Sequence, residues 1–407
     1  MGRVKEATTL DLFITETQAT QGDVSGTEVE TRRQGAGLLF AADGGEAWDA
    51  TALGGPTVRC YLGDNEDRWY MWYHGRRSGG THPEELSSGN IGVATSTDGV
   101  TWKRGSGAVE TVRGSGETSL GKGTDVGTVI TTNEDWWTFD TCHLGVSDVQ
   151  ILSNSNMRAS GGVYWMFYYG GDFAETEVTV GNDTAKVEGL CTRVGLALSQ
   201  DGVNWARIEG DHHSGALLDI GSEGEWDSMS MAAPQVITHR PGDMRMYYHG
   251  TSSITQPTSI GICTSEDGFR WKRTGKQVLE AGAPGSFDAS GLSNPNVVRL
   301  TTSEGGGYRM FYEALDEDGV RSIGAATSKD GLSWKKVDGP VFSPSEEDGA
   351  WDSKGVGSPC LVPMAEGKYR LYYAGASSAD SAFTGIGLAR TSGSDAFSFD
   401  RWSPKTE

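Results

Sequence analysis

"SQDGVNW" (residues 199–205) is one copy of a phrase that also occurs as "STDGVTW" (96–102), "SEDGFRW" (265–271) and "SKDGLSW" (328–334), with a degenerate copy, "SGSDAFSF", at 392–399. Asp-Gly is a tight-turn pair. The Ser or Asp side chain before it can hold the turn's backbone N–H groups, and the Trp that follows is placed to pack between structural units. Each copy belongs to a unit of about 65 residues. The fullest unit runs "EWDSMSMAAPQVI" (225–237), "MRMYYHG" (244–250), "IGICTSEDGFRWKR" (260–273) and "KQVLEAG" (276–282). Large and small side chains alternate over five to seven residues in each piece, so one unit reads as four antiparallel strands.

The same order returns along the chain, with "AWDATALGGPTVR" opening the first unit, "FDTCHLGVSDVQI" the second, "FDASGLSNPNVV" the fourth and "WDSKGVGSPCLV" the fifth. This pattern predicts an all-β fold, a five-bladed β-propeller of four-stranded antiparallel blades. The chain stops five residues after Trp402, before a last outer strand, whereas "GAGLLFAADGGEAWD" (35–49) begins in the middle of a unit. Leu38 to Phe40 are therefore expected to complete the last blade, closing the ring with an N-terminal strand and no free edge. Residues 35–402 form a single propeller domain in this reading. Residues 1–34, polar and rich in Thr, Glu and Gly, are expected to be a flexible arm, and 403–407 a tail.

The formal net charge of −21 opposes binding to a phosphate backbone, so nucleic acid is a poor partner. The apolar runs are strand-sized, which argues against membrane insertion. Five cysteines without a C-x-x-C pair are read as thiols rather than a disulfide framework, which favours a reducing compartment. A trimmed targeting or secretion signal is compatible with the same sequence.

Features repeated in all five units are read as scaffold, including Asp49, Asp140, Asp227, Asp288 and Asp352 of the W/F-D step. Departures from repetition are then candidates for function. Just after the aromatic pair of the second strand the units read His74, Tyr169, His249, Glu313 and Ala374, and on the innermost strand Thr57, Asp148, Gln235, Asn296 and Cys360. These positions should converge on one mouth of the central channel. Glu313 and Asp148 are each the only acid at their position, and two carboxylates across a scissile bond suit acid/base cleavage of a glycoside. A separation of roughly 6.5–9.5 Å would indicate inversion and roughly 5–5.5 Å retention. The alternative is that Glu313 pairs with Arg309 or Arg321 and that Asp148 caps a strand.

His74, His143 and His249 with Glu313 are also a plausible set for a divalent metal ion, although no local H-x-x-x-H spacing supports it. Without a metal, the three histidines with Tyr169 and Asn294 are candidate substrate-binding residues. Two insertions, 105–138 and 172–190, are expected to wall the mouth. They bring Trp136 and Trp137, which suit stacking on a sugar ring, and lie near Arg76, Arg77 and Arg193, which suit an anionic ligand group.

The unit "YYxG…IGxAxSxDGxxW" resembles the five-bladed propeller glycosidases, the superfamily of arabinanases, levansucrases and invertases, over residues 35–402. The resemblance implies a glycoside hydrolase-like activity on a small carbohydrate. It also implies an Asp in the first blade as base or nucleophile, a second Asp that orients, and a Glu from a later blade as acid. Asp148 matches the inner-strand Asp, Glu313 the later-blade acid, and Asp49 occupies the repeated W-D position of the first blade. The first blade departs from the pattern, since "ALGGPTV" has no acid beside the inner strand, and the third reads "SMAAPQV" without a Glu. Three readings stay open: a glycoside hydrolase or transglycosidase, a lyase or isomerase built on the His/Glu set with or without a metal, and a non-catalytic carbohydrate- or protein-binding propeller.

Overall fold

The computed structural model describes residues 35–403 apart from 43, 46, 62–66, 78–88, 106, 109–125, 153–161, 181–182, 379–381 and 393–395. The expected N-terminal arm lies outside the described residues, as does the tail beyond residue 403. Within them the chain is all-β, and its only helical turns are the three-residue 3₁₀ segments Thr302–Glu304 and Ala365–Gly367.

The repeats fold as antiparallel sheets. Ser230–Arg240, Asp243–Thr251, Ser259–Ser265 and Trp271–Leu279 make the third blade. The second is His143–Leu152, Val163–Gly171, Thr192–Ser199 and Trp205–Ile208. In the first and fourth blades the outer strand is split. Lys103–Arg104 and then Val126–Ile130 pair with Asn90–Ser96, while Lys335–Lys336 and a bridge from Phe342 pair with Arg321–Ser328. The innermost strands neighbour one another in cyclic order, with that of the last blade, Gly355–Pro363, returning to Ala52–Tyr61 of the first. This is a closed propeller.

Closure follows the sequence reading. Leu38–Ala41 pairs antiparallel with Gly385–Thr391, which also carries Phe399–Arg401. Leu388 N–H donates to Gly37 O at 2.8 Å, and Trp351 Nε1 to Ala36 O at 3.1 Å.

The apolar core lies between blades, with one buried cluster for each neighbouring pair. The repeated phrase builds both ends of this arrangement. In its turn, Asp201 Oδ1 accepts the N–H groups of Val203 and Asn204, and Ser199 Oγ accepts those of Asp201 and Gly202. The turns beginning with Ser96, Ser265 and Ser328 repeat this pattern. The Trp of each phrase then meets an aromatic ring of the preceding blade edge-on: Trp205 on Trp72, Trp271 on Phe167, Trp334 on Tyr247 and Trp102 on Tyr372. Phe399 replaces it in the degenerate copy and meets Phe311. Such pairs add about 1 kcal/mol beyond their buried area.

Each W/F-D aspartate is buried and clamped within its blade. Asp227 accepts the Tyr248 hydroxyl at 2.7 Å and pairs with Arg273 at 2.7 Å. Asp49, Asp140, Asp288 and Asp352 do the same with Tyr73 and Arg104, Tyr168 and Arg207, Tyr312 and Lys336, and Tyr373 and Arg401. The carboxylate ties the start of the inner strand to the second strand and the outer strand.

Removing such a carboxylate leaves a cation and a phenol without their partner. Asp288→Ala, which removes the carboxylate from Lys336 and Tyr312, is expected to cost about 3–5 kcal/mol in chemical denaturation. Lys186→Ala, which breaks the exposed pair with Glu175, should stay within about 1 kcal/mol. Equal effects would mean that the clamp is not what stabilises a blade.

Candidate functional site at the channel mouth

Every inner strand carries a bulge near its mouth end, seen as a register shift between Gly54 and Thr57, Val146 and Asp148, Ala232 and Gln235, Ser293 and Asn296, and Gly357 and Cys360. In four blades the bulged residue precedes a proline and has a left-handed backbone. It is Gly55 in the first, but Ala233, Asn294 and Ser358, with φ of 49°, 47° and 47°, in the others. Non-glycine residues are uncommon in this region, and such conformations cluster where a site is being shaped.

The residue after the aromatic pair stands beside these bulges. Glu313 pairs in register with Ser293 and is 8% exposed. Its Oε2 accepts Asn294 Nδ2 at 2.8 Å and the backbone N–H of Ser358, in the next blade, at 2.9 Å. Its Oε1 faces Arg321 Nε at 3.7 Å, and the Arg321 guanidinium lies 5.0 Å over the ring of Phe383. Of the two cations considered for Glu313 it is Arg321 that pairs, since Arg309 donates to the Tyr369 hydroxyl.

His249 Nδ1 accepts the N–H of Asn294 at 3.2 Å, and burial lowers its pKa to about 4. His74 is 6% exposed, and burial with His143 nearby lowers it to about 3. Its ring lies across the first blade's inner strand, where Gly54 and Gly55 leave room, and its Nδ1 meets no partner among the described residues. Tyr169 packs on Ala232 and Ala233 and is met edge-on by His74 and by His143, each at 6.5 Å. His249, Asn294 and Glu313 are thus joined by hydrogen bonds on one side, and His74, Tyr169 and His143 by ring packing on the other.

Asp148 stands elsewhere. It is fully buried, with Oδ1 on Arg59 Nη2 at 2.5 Å and Oδ2 accepting Gln150 Nε2 at 2.6 Å and Val236 N–H at 3.0 Å. Burial raises its pKa against the opposing pull of Arg59. Its bond to Val236 is one of a cycle. Gln235 Oε1 accepts Val297 N–H, Asn296 Oδ1 accepts Leu361 N–H, Cys360 Sγ accepts Val58 N–H, and Thr57 Oγ1 donates to Ser147 O. The position that sets Asp148 apart by charge is an inter-blade link in every blade.

Among the described residues no group of three or more His, Cys, Asp and Glu side chains is placed to hold a metal ion. His143 Nε2 donates to Gly189 O at 2.9 Å, at the base of the hairpin Glu175–Val180 and Asp183–Glu188, and His249 Nδ1 is taken by Asn294. Arg193 is held by Asp219 and Cys191, so it is not a free anion receptor. Arg76 is half-buried at the mouth end of its strand, and Arg77 is exposed beyond it. Trp136 and Trp137 are 88% and 41% exposed on the loop before the second blade and make no ring contact among the described residues. All five cysteines are free thiols, with Cys60 and Cys191 half-buried. No helix among the described residues is long and apolar enough to cross a membrane.

Ser358, Phe383 and Gly357 belong to the site but were not singled out by the sequence. A Cβ at Gly357 would lie 2.3 Å from Glu313 Oε2. The available signal was the residue before proline, which repeats as Gly55, Ala233, Asn294 and Ser358.

No protein-family model matches the chain. Over 206 residues, 48% of this chain, it is 30% identical to uncharacterized protein Rv1502 of Mycobacterium tuberculosis strain H37Rv and to uncharacterized protein MT1551 of strain CDC 1551. The match spans 60% of the length of these curated relatives. Among solved structures, a member of the GH130 family of mannoside phosphorylases and glycoside hydrolases aligns with a TM-score of 0.58 at 17% identity, covering 90% of this chain and 94% of that one. A thermostable family-43 glycoside hydrolase aligns with 0.57 at 16% identity, covering 89% and 97%. These likenesses establish that the chain has the propeller fold of glycoside hydrolases.

The buried neutral imidazole of His74 has a consequence for stability. A free imidazole titrates near about 6.5. As pH falls below that value the unfolded chain binds a proton that folded His74 refuses, so stability present above it is lost. Between pH 7 and pH 5 the loss from His74 should be about 2 kcal/mol. His74→Gln is expected to flatten the pH dependence of chemical denaturation by that amount. An unchanged slope would mean that His74 accepts a proton in the folded state.

Proposed function

We propose that the chain is a glycoside hydrolase-like enzyme acting on a small carbohydrate or glycoside at the channel mouth, with Glu313 as the group that exchanges a proton with the reacting oxygen. The observation that carries this reading is the asymmetry of Glu313. Oε2 is filled by the Asn294 amide and the Ser358 N–H, whereas among the described residues Oε1 has only Arg321, at 3.7 Å. A proton or a new bond therefore forms at Oε1, at a carboxylate that cannot rotate freely. Neutral imidazoles at His74 and His249, the Tyr169 phenol and the Asn294 amide suit a ligand rich in hydroxyl groups. The fold shared with glycoside hydrolases supports the reaction class by analogy.

The two-carboxylate scheme gave Asp148 the second role. With Arg59, Gln150 and Val236 on its oxygens, Asp148 in this reading supports the site from within the inter-blade cycle and does not touch the substrate. Retention or inversion is then decided by how water or a sugar approaches Glu313.

A panel of p-nitrophenyl glycosides tests the assignment. Glu313→Gln is expected to lower kcat at least ~100-fold on any glycoside the wild type cleaves, with an unchanged melting temperature. Asp148→Asn should lower the melting temperature first. Undiminished turnover in Glu313→Gln would sink the assignment. Sugar binding by a wild type that cleaves nothing would make the protein a carbohydrate-binding propeller instead.

A further inference from the structure

Asn294 touches two mouth groups at once. Its backbone N–H donates to His249 Nδ1 and its side-chain Nδ2 to Glu313 Oε2. A backbone amide only donates, so Nδ1 of His249 presents a lone pair, and the uncharged ring carries its proton on Nε2. Burial favours that uncharged ring. His249 is half-buried, and Nε2 meets no protein partner among the described residues. The left-handed backbone of Asn294, at φ 47°, lets one residue turn its N–H toward the third blade while its side chain reaches Glu313 in its own blade. Ser358, with the same φ, directs its N–H to the same Glu313 oxygen from the other side.

We propose that Asn294 is the positioning residue of this site, fixing His249 as an Nε2–H donor and Glu313 Oε1 as an acceptor that together receive one hydroxyl group of the ligand. A hydroxyl accepts from one and donates to the other, so it satisfies both. An ionised carboxylate or a fully ionised phosphate oxygen has no proton to give Glu313 and leaves that half unmet. The proposal rests on the carbohydrate reading above and names the group on the sugar that the site holds.

Nitrogen-15 spectra of histidine-labelled protein at neutral pH, with His249 assigned by the signal lost in His249→Gln, read the tautomer without any turnover. The expected result is a protonated Nε2 and an unprotonated Nδ1, retained in Asn294→Gly, because glycine keeps both the left-handed backbone and the N–H. The Nδ1–H tautomer or an imidazolium would overturn the proposal. On an aryl glycoside that the wild type cleaves, Asn294→Gly should lower kcat ~10-fold with little change in KM. Asn294→Asp, which turns an acceptor on Glu313, should lower it further, and undiminished kcat in both variants overturns the Glu313 half. A wild type that cleaves no aryl glycoside removes the hydrolase reading alone, since the tautomer still decides whether Asn294 positions His249.

Discussion

The innermost strands of neighbouring blades diverge and do not form a ladder with one another, yet the backbone N–H groups between them are buried. A buried amide left without a partner costs about 1–3 kcal/mol. Each blade answers this by turning one inner-strand side chain sideways. Asp148, Gln235, Asn296 and Cys360 each accept an N–H of the next blade, and Thr57 completes the cycle by donating to Ser147 O. The cycle joins first to last blade without a covalent bond, and the bulges directly above it fall at one level around the mouth. The position of Glu313, His249 and Tyr169 follows from that level.

Much of this scaffold was legible because the same physical need recurs in every blade. A turn that holds its own N–H groups requires Ser, Asp and Gly at fixed spacing, and a ring that packs on the preceding blade requires an aromatic three residues later. The closing strand was legible for a related reason, as a missing outer strand at one end of the chain matched a surplus one at the other. The buried W/F-D aspartates also read correctly, since five carboxylates in equivalent places need five partners of the same kind.

The site was less legible because charge distinguishes Asp148 in the sequence, whereas the fold requires only a polar group that reaches the neighbouring strand. Thr57, Asp148, Gln235, Asn296 and Cys360 differ in charge and size, but all are polar groups that can reach across to a neighbouring strand. By that measure Asp148 is a regular member of its set, and Arg59 and Gln150 supply the extra partners that a buried charge requires. Ring orientation was not legible either. His74 and His249 occupy equivalent sequence positions and His143 does not, and the contacts that orient the rings of His249 and His143 come from Asn294 and Gly189 in other segments.

Glu313 is where the two kinds of constraint meet. Left-handed backbone at a non-glycine residue costs about 1–2 kcal/mol, least at Asn, whose side chain tolerates it. Blades three, four and five all accept this cost, but only in the fourth and fifth do the strained residues direct a donor at the same carboxylate. The neighbouring glycine completes the fit. Any side chain at Gly357 would occupy the space of the Glu313 carboxylate and of Phe383, and through Phe383 it would displace Arg321. A carboxylate with one oxygen held by two fixed donors and the other facing a stacked guanidinium keeps a single reactive face. In a ring whose other four positions are two imidazoles, a phenol and a methyl group, that face is the one carboxylate.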